Sequence, residues 1–93
     1  MDNKLTIFYL EKCPYCRNAI RAAKELETEL TGFSPDLINW IEERQHADIA
    51  DQYDYYRVPS IFLGDRKLYE CSPSDDYSEI KRQLKNAIET ARV

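Results

Sequence analysis

The chain has 93 residues, 43% of them hydrophobic and 32% charged, with a net charge of -4 and three cysteines. That is the composition of one small domain over 1–93, which buries roughly 60–70% of its unfolded surface. The acidic balance and the lack of a basic block argue against nucleic acid or an anionic membrane as partner, and no run approaches the roughly 20 apolar residues of a membrane span.

Residues 4–10 (KLTIFYL) are apolar almost without interruption, the pattern of a central strand covered on both faces. The six mostly apolar residues after Lys4 are too few for a signal peptide. Lys12-Cys13-Pro14-Tyr15-Cys16-Arg17 comes next and opens a helix. Pro14 suits a first helical position, where a missing N–H has no partner to lose. Cys16, Ala19, Ile20, Ala23, Leu26 and Leu30 recur at helical spacing, while Arg17, Arg21, Lys24 and Glu25 face away. The spacing predicts a helix over 14–31, ended by Gly32.

Phe33-Ser34-Pro35 leads to a second strand over 37–42 (LINWIE), and a right-handed crossover makes the two strands parallel. Residues 44–56, apolar at Ile49, Ala50, Tyr53 and Tyr56, predict a short second helix. Strands over 60–63 (SIFL) and 67–71 (KLYEC) flank Gly64-Asp65-Arg66 as a hairpin, with Leu68 and Glu70 on opposite faces. Ser72 as N-cap, Pro73 in first position and Asp75 reaching back predict the start of a last helix. Its stripe is Tyr77, Ile80, Leu84, Ala87, Ile88 and Ala91, and it runs almost to Val93. The class is therefore α/β: order β-α-β-α-β-β-α, a four-stranded mixed sheet flanked by three helices.

A Cys-x-x-Cys pair at a strand-to-helix junction reads as a redox dithiol. Cys13 sits where the first helical N–H groups have no internal partner, at the positive end of the helix dipole. These groups, with Lys12 and Arg17, favour the thiolate and make Cys13 the expected nucleophile. Cys16 lies one turn on, on the buried face, within reach of a mixed disulfide on Cys13. Burial raises its own pKa, which suits a resolving thiol.

Cys13-Pro14-Tyr15-Cys16 after the strand resembles the dithiol glutaredoxin active site. Val58-Pro59-Ser60-Ile61-Phe62-Leu63-Gly64 resembles the family's Val-Pro-x-Ile-Phe segment, and Asp75-Asp76 precedes the last helix as in the family. The resemblance implies a thioredoxin-like fold and a thiol-disulfide oxidoreductase. It also implies a cis-proline at Pro59 and no bound cofactor, with glutathione as reductant or co-substrate. By the same resemblance Lys12, the Val58 backbone and Asp75 or Asp76 hold substrate, with Tyr15, Arg57 and Pro59 beside them. The chain departs from the family in Ser72-Pro73-Ser74, where glycines are expected, and in Arg57, where Thr is usual. A protein disulfide or another low-molecular-weight thiol therefore stays open as substrate.

Two rival readings remain: a thioredoxin-like carrier reduced without glutathione, and a module that uses Cys13 to ligate an iron–sulfur cluster. Cys13, Cys16, Cys71 and His46 lack the second paired motif of a zinc site, and no metal is expected. Cys71 reads as a packing cysteine, and His46 as an exposed residue at the start of the second helix. At least two of Tyr53, Tyr55 and Tyr56 read as packing residues, with one lining a groove beside Tyr15. Glu42-Glu43-Arg44 reads as a solvated face. The expected protein is a cytoplasmic monomer.

Overall fold

A computed structural model describes residues 4–92. Residues 1–3 and 93 lie outside them. β1 (Leu5–Tyr9) enters α1 (Pro14–Glu29), and a single 3-10 turn (Pro35–Leu37) precedes β2 (Ile38–Glu42). α2 (Ala47–Ala50), β3 (Ser60–Leu63), β4 (Arg66–Glu70) and α3 (Tyr77–Ala91) follow. The sheet order is β2-β1-β3-β4. β1 runs parallel to β2, with Leu5 opposite Ile38 and Tyr9 opposite Glu42, and antiparallel to β3. β3 and β4 form the expected hairpin.

β1 is central, and both of its faces are covered. Leu5 and Ile7 pack with Ala22, Leu26, Leu84 and Ile88 of α1 and α3, whereas Phe8 packs with Ile41, Ala50, Phe62 and, after α2, Tyr53 and Tyr55. Leu5, Ile7 and Phe8 are all 0% exposed. Burying each side chain is worth about 1.5–3 kcal/mol. The β1–α1 junction is thereby fixed from both sides.

Several predicted boundaries move. α1 ends at Glu29, because Leu30 turns extended and Gly32 takes φ +80 to reverse the chain. Ala22 joins the buried stripe while Ile20 and Leu30 are only half-buried. The second helix shrinks to Ala47–Ala50. Tyr53 and Tyr55 both pack on Phe8, with ring centroids at 4.7 and 4.9 Å. Residues two apart cannot share one helix face, so the segment leaves the helix.

α3 begins at Tyr77 rather than Pro73, with Asp76 and not Ser72 as N-cap. The Asp76 carboxylate accepts the Glu79 N–H at 2.9 Å. Asp75 does reach back to the Ser72 N–H, at 3.0 Å, but closes a turn in which Asp75 N also donates to Ser72 O. In β4 a register shift leaves Leu68 without a partner in β3. That extra residue puts Leu68 on the α1–α3 side and lets Glu70 meet Lys67 at 2.7 Å.

Candidate active site

Cys13 is the N-cap of α1, with extended backbone at φ -88 and ψ 124. Its Sγ accepts the Cys16 N–H at 3.4 Å and approaches the Val58 carbonyl at 3.9 Å. Pro14 in the first turn leaves that arrangement without a competing donor. Cys13 is half-buried and Cys16 is 0% exposed; both are free thiols, as is Cys71. The Cys16 Sγ accepts the Leu10 N–H at 3.4 Å. Burial pushes the Cys16 thiol well up; the Leu10 N–H opposes this, and the adjoining Cys13 sulfur adds to it. The result is one reachable sulfur at a helix start and one protonated sulfur behind it.

Of the other expected residues, Lys12 and Val58 lie beside Cys13. Lys12 lines, with Leu10, Glu11, Cys13, Glu42, Arg44 and Gln45, a cleft of about 340 Å³. The Val58–Pro59 peptide is cis, and Pro59 is fully buried. Tyr15 packs against Ala19, Cys71 and Ile80, and its hydroxyl donates to the Pro73 carbonyl at 2.8 Å. Arg57 is exposed at the side chain, and its N–H donates to Glu70 Oε2 at 3.0 Å.

Asp75 and Asp76 are tied into their own turn. Asp75 Oδ2 accepts from the Tyr69 hydroxyl at 2.5 Å as well as from Ser72 N. These two donors, Tyr69 first, hold its carboxyl below the usual range. The groove lined by Tyr53, Tyr55 and Tyr56 includes Glu43 and Arg44 but not Tyr15. Tyr56, 90% exposed, is the one tyrosine of the three outside the core. Cys71 is buried against Ala19 and Ile80, and His46 is the exposed N-cap of α2.

Two residues escaped the sequence reading. Glu42 is no part of a solvated face: it is 7% exposed and accepts N–H groups from both loops beside Cys13. The signal was its place as the last residue of the second strand, next to the buried Ile41. Glu70 accepts the N–H groups of Tyr56 and Arg57, both at 3.0 Å, and so holds the segment that delivers Val58. No residue pattern announced that contact.

No family model matches the chain. Its structure superposes on thioredoxin 1 of the thermophilic eubacterium Thermosipho africanus TCF52B with a TM-score of 0.59, covering 97% of this chain and 99% of that one. At 14% identity that likeness shows the thioredoxin-like fold alone. Glutaredoxin-1 of Gallus gallus is 33% identical, over 89% of this chain and 78% of that protein. The chain belongs to the glutaredoxin family. It is a glutaredoxin-like thiol-disulfide oxidoreductase with a Cys-x-x-Cys dithiol. Among its described residues no helix is long and apolar enough to cross a membrane.

Proposed function

We propose that this glutaredoxin reduces protein disulfides and glutathione mixed disulfides through Cys13 and Cys16. The observation that carries the reading is the asymmetry of the pair: Cys13 reachable at the helix cap, Cys16 0% exposed behind it. The Cys13 thiolate attacks one sulfur of the substrate disulfide, and the other leaves as a thiolate. Cys16 then gives up its proton and attacks Cys13 Sγ. This expels the second substrate thiolate and leaves an intramolecular disulfide holding two electrons fewer. Two equivalents of glutathione reset the pair and leave as glutathione disulfide. Lys12, Tyr15, Arg57, Val58 and Pro59 border the substrate, and the Val58 backbone offers an edge to an extended chain. A cytoplasmic setting, where structural disulfides are rare, suits a catalytic pair such as Cys13 and Cys16. The protein acts as a monomeric single domain.

One observation favours a second reading for the electron donor. The Asp75 and Asp76 carboxylates already occupy N–H groups of Ser72 and Glu79, and Pro73 contributes no N–H. A glutathione carboxylate therefore finds fewer donors there, which favours protein disulfides and a thioredoxin-reductase-type donor. Turnover of hydroxyethyl disulfide is measured with glutathione plus glutathione reductase, and separately with a thioredoxin reductase. Faster turnover in the first supports glutathione, and turnover confined to the second replaces it.

A further inference from the structure

We propose that Glu42 is a positioning residue for Cys13, acting through the peptide that joins Leu10 to Glu11. The proposal rests on Cys13 being the nucleophile. Glu42 ends β2, and its side chain turns toward the β1–α1 loop. Its Oε2 accepts the Glu11 N–H at 3.2 Å, and its Oε1 accepts the N–H groups of Arg44 at 2.6 Å and Gln45 at 3.3 Å. A carboxylate 7% exposed thus has three backbone donors, drawn from two separate loops.

The Glu11 N–H belongs to the same peptide unit as the Leu10 carbonyl. That carbonyl accepts the Cys13 N–H at 3.2 Å. A continuous chain therefore runs from the Glu42 carboxylate, through one peptide, to the backbone of Cys13. A negative charge at one end of such a peptide polarises it and strengthens the bond at the other. Leu10 also gives its own N–H to Cys16 Sγ at 3.4 Å, so the same residue touches both members of the dithiol. The loop has few other constraints: Glu11 and Lys12 are exposed, and Pro14 supplies no donor. Glu42 holds this turn by its Leu10–Glu11 peptide from outside α1.

The carboxylate is kept in its charged form. Desolvation raises its pKa, and the N–H donations of Glu11, Arg44 and Gln45 outweigh that and lower it. Its other oxygen fixes the β2–α2 turn, so Glu42 ties together the two loops that line the cleft beside Cys13.

Two variants of the full chain separate this role from a merely structural one. Glu42→Gln presents an NH2 group to a loop N–H and removes the charge. Glu11→Pro deletes the donor that Glu42 meets in the β1–α1 loop and leaves the Glu42 charge in place, while it also fixes φ at residue 11 and narrows the backbone freedom of Leu10. Site-resolved iodoacetamide alkylation, kcat and KM for hydroxyethyl disulfide, and the urea midpoint are measured for each. In both variants we expect Cys13 alkylation and kcat to fall roughly tenfold, with KM within about twofold of the parent, as for a lost hydrogen bond to a charged group. Glu42→Asp recovers part of the loss. Alkylation within about twofold of the parent, in whichever variant folds, overturns the proposal, even where the urea midpoint drops. Cys13→Ser is the control: if it still reduces disulfides, the nucleophile assignment has failed, whereas parent-like Glu42→Gln beside an inactive Cys13→Ser sinks the role of Glu42 alone.

Discussion

Cys13 and Cys16 differ by one helical turn and by everything that surrounds them. The first caps α1 and stays reachable, while the second has its pKa raised by burial and lies at 0% exposure. Removing the hidden sulfur should therefore interrupt the reaction at its midpoint. Cys16→Ser is expected to accumulate a covalent adduct between Cys13 and a protein substrate, seen as a mass increase lost on reduction. Release of product at the parent rate with no adduct would contradict the division of roles. These two residues were legible in the sequence because a dithiol at a helix start is a local pattern. Glu42 was not, because its partners come from residues 11, 44 and 45, and only the folded chain brings those loops together.

At the scale of elements, the start of α3 is set by Asp76, which caps Glu79 N at 2.9 Å. Asp76→Ala should cost about 1 kcal/mol and lower the melting temperature by roughly 4–8 °C. Ser72→Ala, at the cap position suggested by Ser72-Pro73, should cost clearly less, since its hydroxyl meets Ser74 rather than a helical N–H of α3. Equal losses in calorimetry would restore the earlier start. The sequence misplaced this boundary because two acceptable caps stand four residues apart, and in the fold Asp75 is taken by Ser72 N and the Tyr69 hydroxyl while Asp76 caps Glu79. The second helix failed for a related reason. Tyr53 and Tyr55 look like helical surface and core in turn, yet both are drawn onto Phe8 from β1. The strands β1 and β3 and the stripes of α1 and α3 were readable because their partners lie at fixed local periods. β3 was placed to the residue, Ser60–Leu63.

For the whole molecule, folding shifts two sets of groups in opposite senses. Burial raises Cys16, Cys71, Tyr55, Tyr69 and Tyr77. Groups raised on folding contribute stability that is full below their unfolded values, about 8.5 for Cys and 10 for Tyr, and is lost as pH climbs beyond them. Glu25, Glu42, Glu70, Asp75 and Glu79 are lowered. Their contribution is present above about pH 4 and is lost as pH falls. The urea midpoint of the reduced protein should be flat between about pH 5 and 8 and should drop on both sides. The oxidised protein, in which Cys16 no longer titrates, should drop less on the alkaline side. A reduced form that gains stability above pH 9 would reverse this assignment, the threshold being roughly the thiol's unfolded value. The most direct test of the dithiol itself uses the native, fully reduced chain with less than one equivalent of iodoacetamide at neutral pH, the adducts being located by peptide mass spectrometry. The label is expected on Cys13, with Cys16 and Cys71 unmodified until the protein is unfolded. Label appearing first on Cys16 would contradict the account.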